Sequence, residues 1–102
     1  MRDGEEPIWV ALLRISPSVQ TKISGRHQLQ AADVAAAVER VKSLTCAWDT
    51  DPERGRRAFV QTMIRGSRVL VVLYPTDEDG VWNLGSAYRV NNRARPGDSR
   101  GG

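Results

Sequence analysis

The chain is poor in several residue types, and each shortage limits what it can do. Its 102 residues include one cysteine, Cys46, and one histidine, His27. A single cysteine cannot form an internal disulfide, and one cysteine with one histidine cannot complete a zinc site. We therefore expect no disulfide framework, no metal centre and no cofactor. Cys46 itself is expected to be a small buried apolar residue.

Long hydrophobic runs are also missing. No stretch of about 18 apolar residues occurs, which is the length that a membrane-spanning helix requires. The first residues lack the charged and then apolar pattern of a signal peptide. We expect a cytoplasmic protein that makes no membrane contact.

Lysine is scarce, and arginine takes its place. Lys22 and Lys42 stand beside 13 arginines, and the net charge is +3. The planar fork of donors in arginine suits phosphate oxygens better than an ammonium group does. This composition favours nucleic acid as a partner.

The order of apolar runs and turn residues predicts one α+β domain over residues 8–90, between a flexible leader at 1–7 and a basic disordered tail at 91–102. An N-terminal strand, two short helices and a three- to four-stranded antiparallel sheet are expected. Ser16 and Pro17 are typical of a helix start. The predicted elements are a strand Ile8–Ile15, helices from Pro17 to near Gly25 and from Ala31 to Ser43, and strands Thr45–Trp48, Arg57–Arg65, Arg68–Tyr74 and Val81–Tyr88.

Within the predicted sheet, Gly66 and Ser67 separate two strands and predict a two-residue hairpin turn. In that register Arg65 lies directly opposite Arg68, and their mutual repulsion invites an anion. The even-numbered residues of the first strand, from Ala58 to Ile64, share an apolar face with Val69, Val71 and Leu73. The opposite face is mixed; it carries Arg57, Phe59, Gln61, Met63, Arg65, Arg68, Leu70, Val72 and Tyr74.

Several of these side chains also have purely structural interpretations. The arginines of the hairpin can be solvated groups that discourage aggregation at a sheet edge. Arg54, Arg56 and Arg57 can pair with Asp49, Asp51 and Glu53 in a surface charge network. His27 can cap a helix end, where a cation is favoured. The three tryptophans, Trp9, Trp48 and Trp82, are expected to be packing residues.

One series of motifs resembles a known family. It begins with Lys22-x-x-x-Arg26-His27-x-Leu29-x-x-x-Asp33-Val34 and continues with the Arg65-Gly66-Ser67-Arg68 hairpin and the segment Asn83-Leu84-Gly85-Ser86-Ala87-Tyr88. Over residues 16–89 this pattern is similar to the RelE/ParE superfamily of toxins from type II toxin-antitoxin systems, in particular to its BrnT-like branch. Tyr88 stands where the terminal motif of those toxins ends in arginine, and Arg89 follows it.

The resemblance implies a RelE-like fold and a metal-independent endoribonuclease that inhibits translation, with RNA, free or on the ribosome, as substrate and a cognate antitoxin as partner. Cleavage by a neighbouring 2′-hydroxyl needs proton transfer and stabilisation of the charged phosphorane. The candidate catalytic residues are Arg65, Arg68, Tyr88 and His27, and the candidate RNA-binding residues are Arg57, Phe59, Tyr74, Arg89, Lys22 and Arg26.

A second hypothesis keeps the fold without the chemistry. The same surface would then belong to a binding module for an acidic protein or a nucleic acid, and Tyr88 would mark the loss of a catalytic arginine. A ParE-like inhibitor of a topoisomerase is a third hypothesis, because it also needs no catalysis.

Overall fold

Two helices cover one face of a six-stranded mixed sheet in the computed structural model, which describes residues 5–90. The elements are β1 (Glu5–Pro7), β2 (Leu12–Arg14), α1 (Pro17–Arg26), α2 (Ala31–Val38), β3 (Thr45–Asp51), β4 (Gly55–Ile64), β5 (Ser67–Pro75) and β6 (Val81–Arg89). The strand order is β1-β3-β4-β5-β6-β2. Among the strands of residues 5–90, only β2 and β6 form a parallel pair. The predicted α+β class is confirmed, but the sheet has six strands rather than three or four.

The first helix begins where the sequence predicts. Ser16 is the N-cap, its Oγ accepts from the backbone N–H of Val19 at 3.3 Å, and Pro17 occupies the first turn. The second helix is shorter than the predicted range ending at Ser43. It ends at Val38 because the chain reverses at Arg40, which has φ 59° and donates its backbone N–H to the carbonyl of Val10 at 2.7 Å.

The N-terminal apolar run does not form the predicted continuous strand. Its residues Leu12–Arg14 form β2, while Glu5–Pro7, which the sequence places in the leader, pair with Thr45–Ala47 as β1. The backbone N–H groups of Ala11 and Leu12 both donate to the carbonyl of Gly80, and this contact interrupts regular pairing. Trp9 is 48% exposed, so its predicted packing role is wrong. Residues 1–4 and the predicted tail at 91–102 lie outside the described residues.

The hairpin between β4 and β5 turns one residue earlier than predicted. Arg65 and Gly66 are the two turn residues, with φ 51° and 81°, and Ile64 pairs with Ser67. A type I′ turn needs positive φ at both central positions, and in the observed turn Gly66 occupies the second of these positions. Arg68 therefore faces Met63 across the strands, and the predicted pairing of Arg65 with Arg68 is wrong.

The predicted sorting of side chains into two faces nevertheless holds. Moving the turn by one residue slides the register by two, which leaves each paired strand residue on its original side of the sheet. Arg65 is the exception, because it is now a turn residue bound to Asp33 of α2. Ala58, Val60, Val69, Val71 and Leu73 are fully buried toward the helices. They form one core with Ile23 of α1 and with Val34 and Val38 of α2. The side of the sheet that the helices leave uncovered is called the open face below; it carries Ala47, Phe59, Gln61, Met63, Arg68, Leu70 and Tyr88.

Neither helix has the length and apolar character needed to cross a membrane, within the part of the chain that the structure describes. The one cysteine, Cys46, is 2% exposed, as the sequence predicts. Burial raises the pKa of its thiol to about 11. The thiol is therefore protonated and unreactive near neutral pH.

Candidate functional site

The end of α1 meets the end of β6 and the start of β5, and this junction gathers several of the predicted site residues. We call it the basic end; it comprises Arg26, His27, Arg68, Tyr88 and Arg89. Arg26 lies in the last turn of α1, and His27 is the C-cap, with its backbone N–H bonded to the carbonyl of Ile23. Arg68 starts β5 beside the end of β6, where its carbonyl accepts from the N–H of Val90 at 2.9 Å.

His27 and Tyr88 are in ring contact at the basic end. Their centroids are 5.7 Å apart and the ring planes are inclined by 47°. Both side chains are half-buried, so part of each remains accessible to solvent. Tyr88 pairs with Leu70 across the strands, on the open face, two residues along β5 from Arg68. The imidazole of His27 and the phenol of Tyr88 are thus in contact where β6 meets α1, and the backbone of Arg68 lies on the neighbouring strand.

Arg89 fixes this junction rather than pointing across the open face. Its Nε donates to the carbonyl of His27 at 3.4 Å and its Nη2 to the carbonyl of Gln28 at 3.2 Å. Its Nη1 donates to Oγ of Ser67 at 2.8 Å. A cation is favoured beside the last carbonyls of a helix, and these bonds tie the end of α1 to both strands. No pattern in the sequence indicates the part played by Ser67.

Arg68 differs from the other arginines of the hairpin. It is exposed, and no described residue accepts a hydrogen bond from its guanidinium. Arg65 lies in the adjacent turn, where its Nε donates to Oδ2 of Asp33 at 2.8 Å. That bond raises the pKa of Arg65. Arg65 and Arg89 line one cleft of about 290 Å³ between the helix connection and the hairpin turn. Arg65 therefore lies next to the basic end but is not on the open face of the sheet.

The remaining predicted site residues lie elsewhere. Nζ of Lys22 donates to the carbonyl of Gly85, midway along β6, at 3.4 Å. Arg57 is bound by two carboxylates, at 2.7 Å to Asp49 and 3.2 Å to Asp51. The bond to Asp49 is the main reason that the pKa of Arg57 is raised. The surface charge network that the sequence allows is thus present for Arg57.

Tyr74 belongs to the same network and is 8% exposed. Its hydroxyl donates to Oδ2 of Asp51 at 3.0 Å, and the Arg54 guanidinium lies 4.1 Å from its ring centroid. Arg56 instead stacks over Trp48 at 3.9 Å. Tyr74 consequently has little free ring surface for a nucleobase.

Phe59 occupies the middle of the open face. It pairs with Ala47 on one side and with Val72 on the other, and the Arg57 guanidinium lies 4.9 Å from its ring centroid. In the next row toward the basic end, Gln61 pairs with Leu70 and Leu70 with Tyr88. The open face therefore connects Phe59 to the His27 and Tyr88 pair through neighbouring side chains.

Within residues 5–90, no group of three or more histidine, cysteine, aspartate or glutamate side chains is placed to hold a metal ion. No family model, curated protein or solved structure matches the chain. The resemblance to RelE/ParE toxins thus rests on the sequence motifs alone.

Proposed function

We propose that this protein is a toxin-like RNA-binding protein that cleaves RNA without a metal and thereby inhibits translation in the cytoplasm. The observation that carries the proposal is the contact of His27 with Tyr88 at 5.7 Å, next to the strand that carries Arg68, whose guanidinium makes no hydrogen bond to a residue within 5–90. Arg68 can bind a phosphate of RNA, and His27 and Tyr88 can exchange protons with the reacting oxygens beside that phosphate. The motif resemblance to BrnT-like toxins supports the same activity.

In the proposed reaction, Arg68 binds the scissile phosphate with paired hydrogen bonds and stabilises the charge of the phosphorane. The imidazole of His27 accepts the proton of the 2′-hydroxyl, whose oxygen then attacks phosphorus. The bond from phosphorus to the 5′ oxygen breaks, and the Tyr88 hydroxyl donates its proton to that oxygen. The products are a 2′,3′-cyclic phosphate and a free 5′-hydroxyl. Arg89 keeps the His27 backbone in place through the carbonyl bond described above.

The catalytic step is tested with purified protein and a fluorescent RNA. Tyr88→Phe removes only the hydroxyl, and His27→Ala removes the imidazole. We expect each change to slow cleavage by about 100-fold or more, which is the usual contribution of a positioned acid or base. Lys42→Ala is the matched control because Lys42 is exposed and lies outside the basic end. Cleavage by Tyr88→Phe at the wild-type rate would refute its role as the acid.

Phosphate binding is tested separately by a titration at several salt concentrations. Arg68→Ala should weaken RNA binding for all sequences and reduce the salt slope by about one unit, because one phosphate contact is lost. Folding should be unchanged, since the Arg68 guanidinium makes no hydrogen bond to a described residue. An unchanged slope would place the phosphate elsewhere.

A binding module without catalysis is the second candidate. It is favoured by the commitment of Arg57 and Arg65 to carboxylates and by Tyr88 at the position where the toxins have arginine. Its partner would be an acidic protein, such as an antitoxin or a topoisomerase, or nucleic acid. RNA that binds without being cleaved, together with normal growth when the wild type is induced, would select this candidate.

A further inference from the structure

We propose that the open face holds a nucleobase of single-stranded RNA, stacked on Phe59 and recognised by Gln61, one nucleotide away from the phosphate at the basic end. This inference rests on the proposed function and adds a base-specific subsite to it. The occupied space would be a cleft of about 600 Å³. Its walls are formed by Glu5, Thr45, Cys46, Ala47, Phe59, Gln61 and Leu70.

The position of the cleft follows from strand register. Gln61 and Tyr88 lie on either side of Leu70 in one row of the open face. Neighbouring strands are about 4.8 Å apart, so the two side chains start roughly 10 Å from each other. A nucleotide whose phosphate is at Arg68 can therefore place the next base over Phe59 and Leu70 without leaving the sheet.

The walls suit a flat aromatic ligand. Phe59 and Leu70 are half-buried, which leaves part of each side chain available, and Ala47 adds a small apolar surface. Arg57 lies over the Phe59 ring at 4.9 Å and is itself held by Asp49, but Phe59 is only half-buried, whereas Tyr74 is 8% exposed, so part of the Phe59 ring remains for a base. Stacking of a base on an aromatic side chain is a common way to bind single-stranded nucleic acid.

The exposed arginine of the open face sets the direction of the bound RNA. Arg68 is exposed at the basic end, whereas the cleft is bordered by Glu5 of β1 and by Thr45, Cys46 and Ala47 of β3. The phosphate backbone is therefore expected to run along the side that carries Arg68, and the base to point toward β1.

Gln61 supplies the basis for selectivity. Its side chain is exposed and makes no hydrogen bond to another residue in the described range. A glutamine amide presents one donor and one acceptor, which match N7 and N6 of adenine. We therefore expect adenine to be preferred at this position.

The experiment compares binding of oligoadenylate and oligouridylate of about eight nucleotides, a length within the site size of small single-strand-binding folds. The wild type should prefer oligoadenylate by roughly tenfold, as one paired base contact allows. Gln61→Leu should remove this preference. Phe59→Leu should weaken binding of both oligonucleotides by roughly tenfold through lost stacking. Met63→Leu is the matched control, because Met63 lies on the same strand and face but does not line the cleft.

The outcomes separate this subsite from the proposed function. If Phe59→Leu and Gln61→Leu bind both oligonucleotides as the wild type does while Arg68→Ala weakens binding, the function stands and the subsite is overturned. The opposite case is tested by NMR with adenosine, which has no phosphate. If adenosine changes the chemical shifts of Phe59 and Gln61 while no oligonucleotide binds, the subsite is supported and the proposed function is overturned. Absence of both signals would overturn both.

Discussion

Gly85 offers a sharp test of the packing beneath the open face. A Cβ at this position would lie 2.3 Å from Cε2 and 2.9 Å from Cδ2 of Tyr74. Carbon atoms in normal contact are about 3.5–4.0 Å apart, so the Tyr74 ring would have to move by more than about 1 Å. The ring has little freedom to do so, because it is held by Asp51 through its hydroxyl and covered by Arg54.

Gly85→Ala should therefore destabilise the protein by about 2 kcal/mol, which is typical of overpacking in a closely packed region. For a domain of this size the melting temperature should fall by roughly 10 °C. Urea denaturation followed by circular dichroism measures the free energy of unfolding directly. The slope with urea should stay the same, since the folded and unfolded surfaces hardly change.

Gly25→Ala is the matched control for this experiment. Gly25 lies inside α1, and a Cβ there would meet nothing within 4 Å. Replacing a helical glycine with alanine should stabilise the protein by about 0.5–1 kcal/mol. In the Gly85→Ala background, Tyr74→Leu should recover part of the loss, because the clashing ring is gone. Wild-type stability of Gly85→Ala would refute the proposed contact with Tyr74.

Two further predictions concern polar contacts that hold the sheet. Hydrogen bonds from the backbone N–H of Glu53 and then from the Tyr74 hydroxyl lower the pKa of Asp51. The contribution of Asp51 to stability should therefore be present above about pH 4 and be lost as the pH falls through the lowered pKa. Asp51→Asn should flatten the acid unfolding curve, whereas Asp77→Asn in the exposed loop should leave the curve unchanged. Oε2 of Glu39 accepts from the N–H of Leu13 at 2.8 Å, so Glu39→Ala should cost about 1–2 kcal/mol in urea denaturation, while Glu39→Gln, which keeps an acceptor, should cost less. Equal losses for the two Glu39 variants would contradict that role.

The sequence predicted the features that depend on local chemistry. Ser16 and Pro17 mark the start of α1, because capping and proline geometry involve only neighbouring residues. The alternation of apolar residues in β4 and β5 assigned their faces correctly even though the turn was placed one residue late. That error shows the limit of turn prediction, since both Arg65-Gly66 and Gly66-Ser67 contain the glycine that such a turn requires.

The candidate site depended more strongly on contacts between distant residues. Arg65 is far from Asp33 in the sequence, and Tyr74 is far from both Arg57 and Asp51. No local pattern shows which carboxylate will bind which of these donors. The role of Arg89 as a clamp on the end of α1 was likewise hidden, because the carbonyls it binds belong to residues 27 and 28. Gly85 gave no sign of its contact with the Tyr74 ring.

By itself, the sequence determined the α+β class, the start of both helices and the division of the central hairpin into a buried and an open face. These properties follow from apolar periodicity and backbone preference, which act over a few residues. Only the tertiary structure decided that Arg57 and Arg65 are paired with carboxylates, while Arg68 makes no hydrogen bond to a residue in the described range and starts the strand next to Tyr88. Register and chain reversal set those distances, and electrostatic pairing depends on distance rather than on position along the chain.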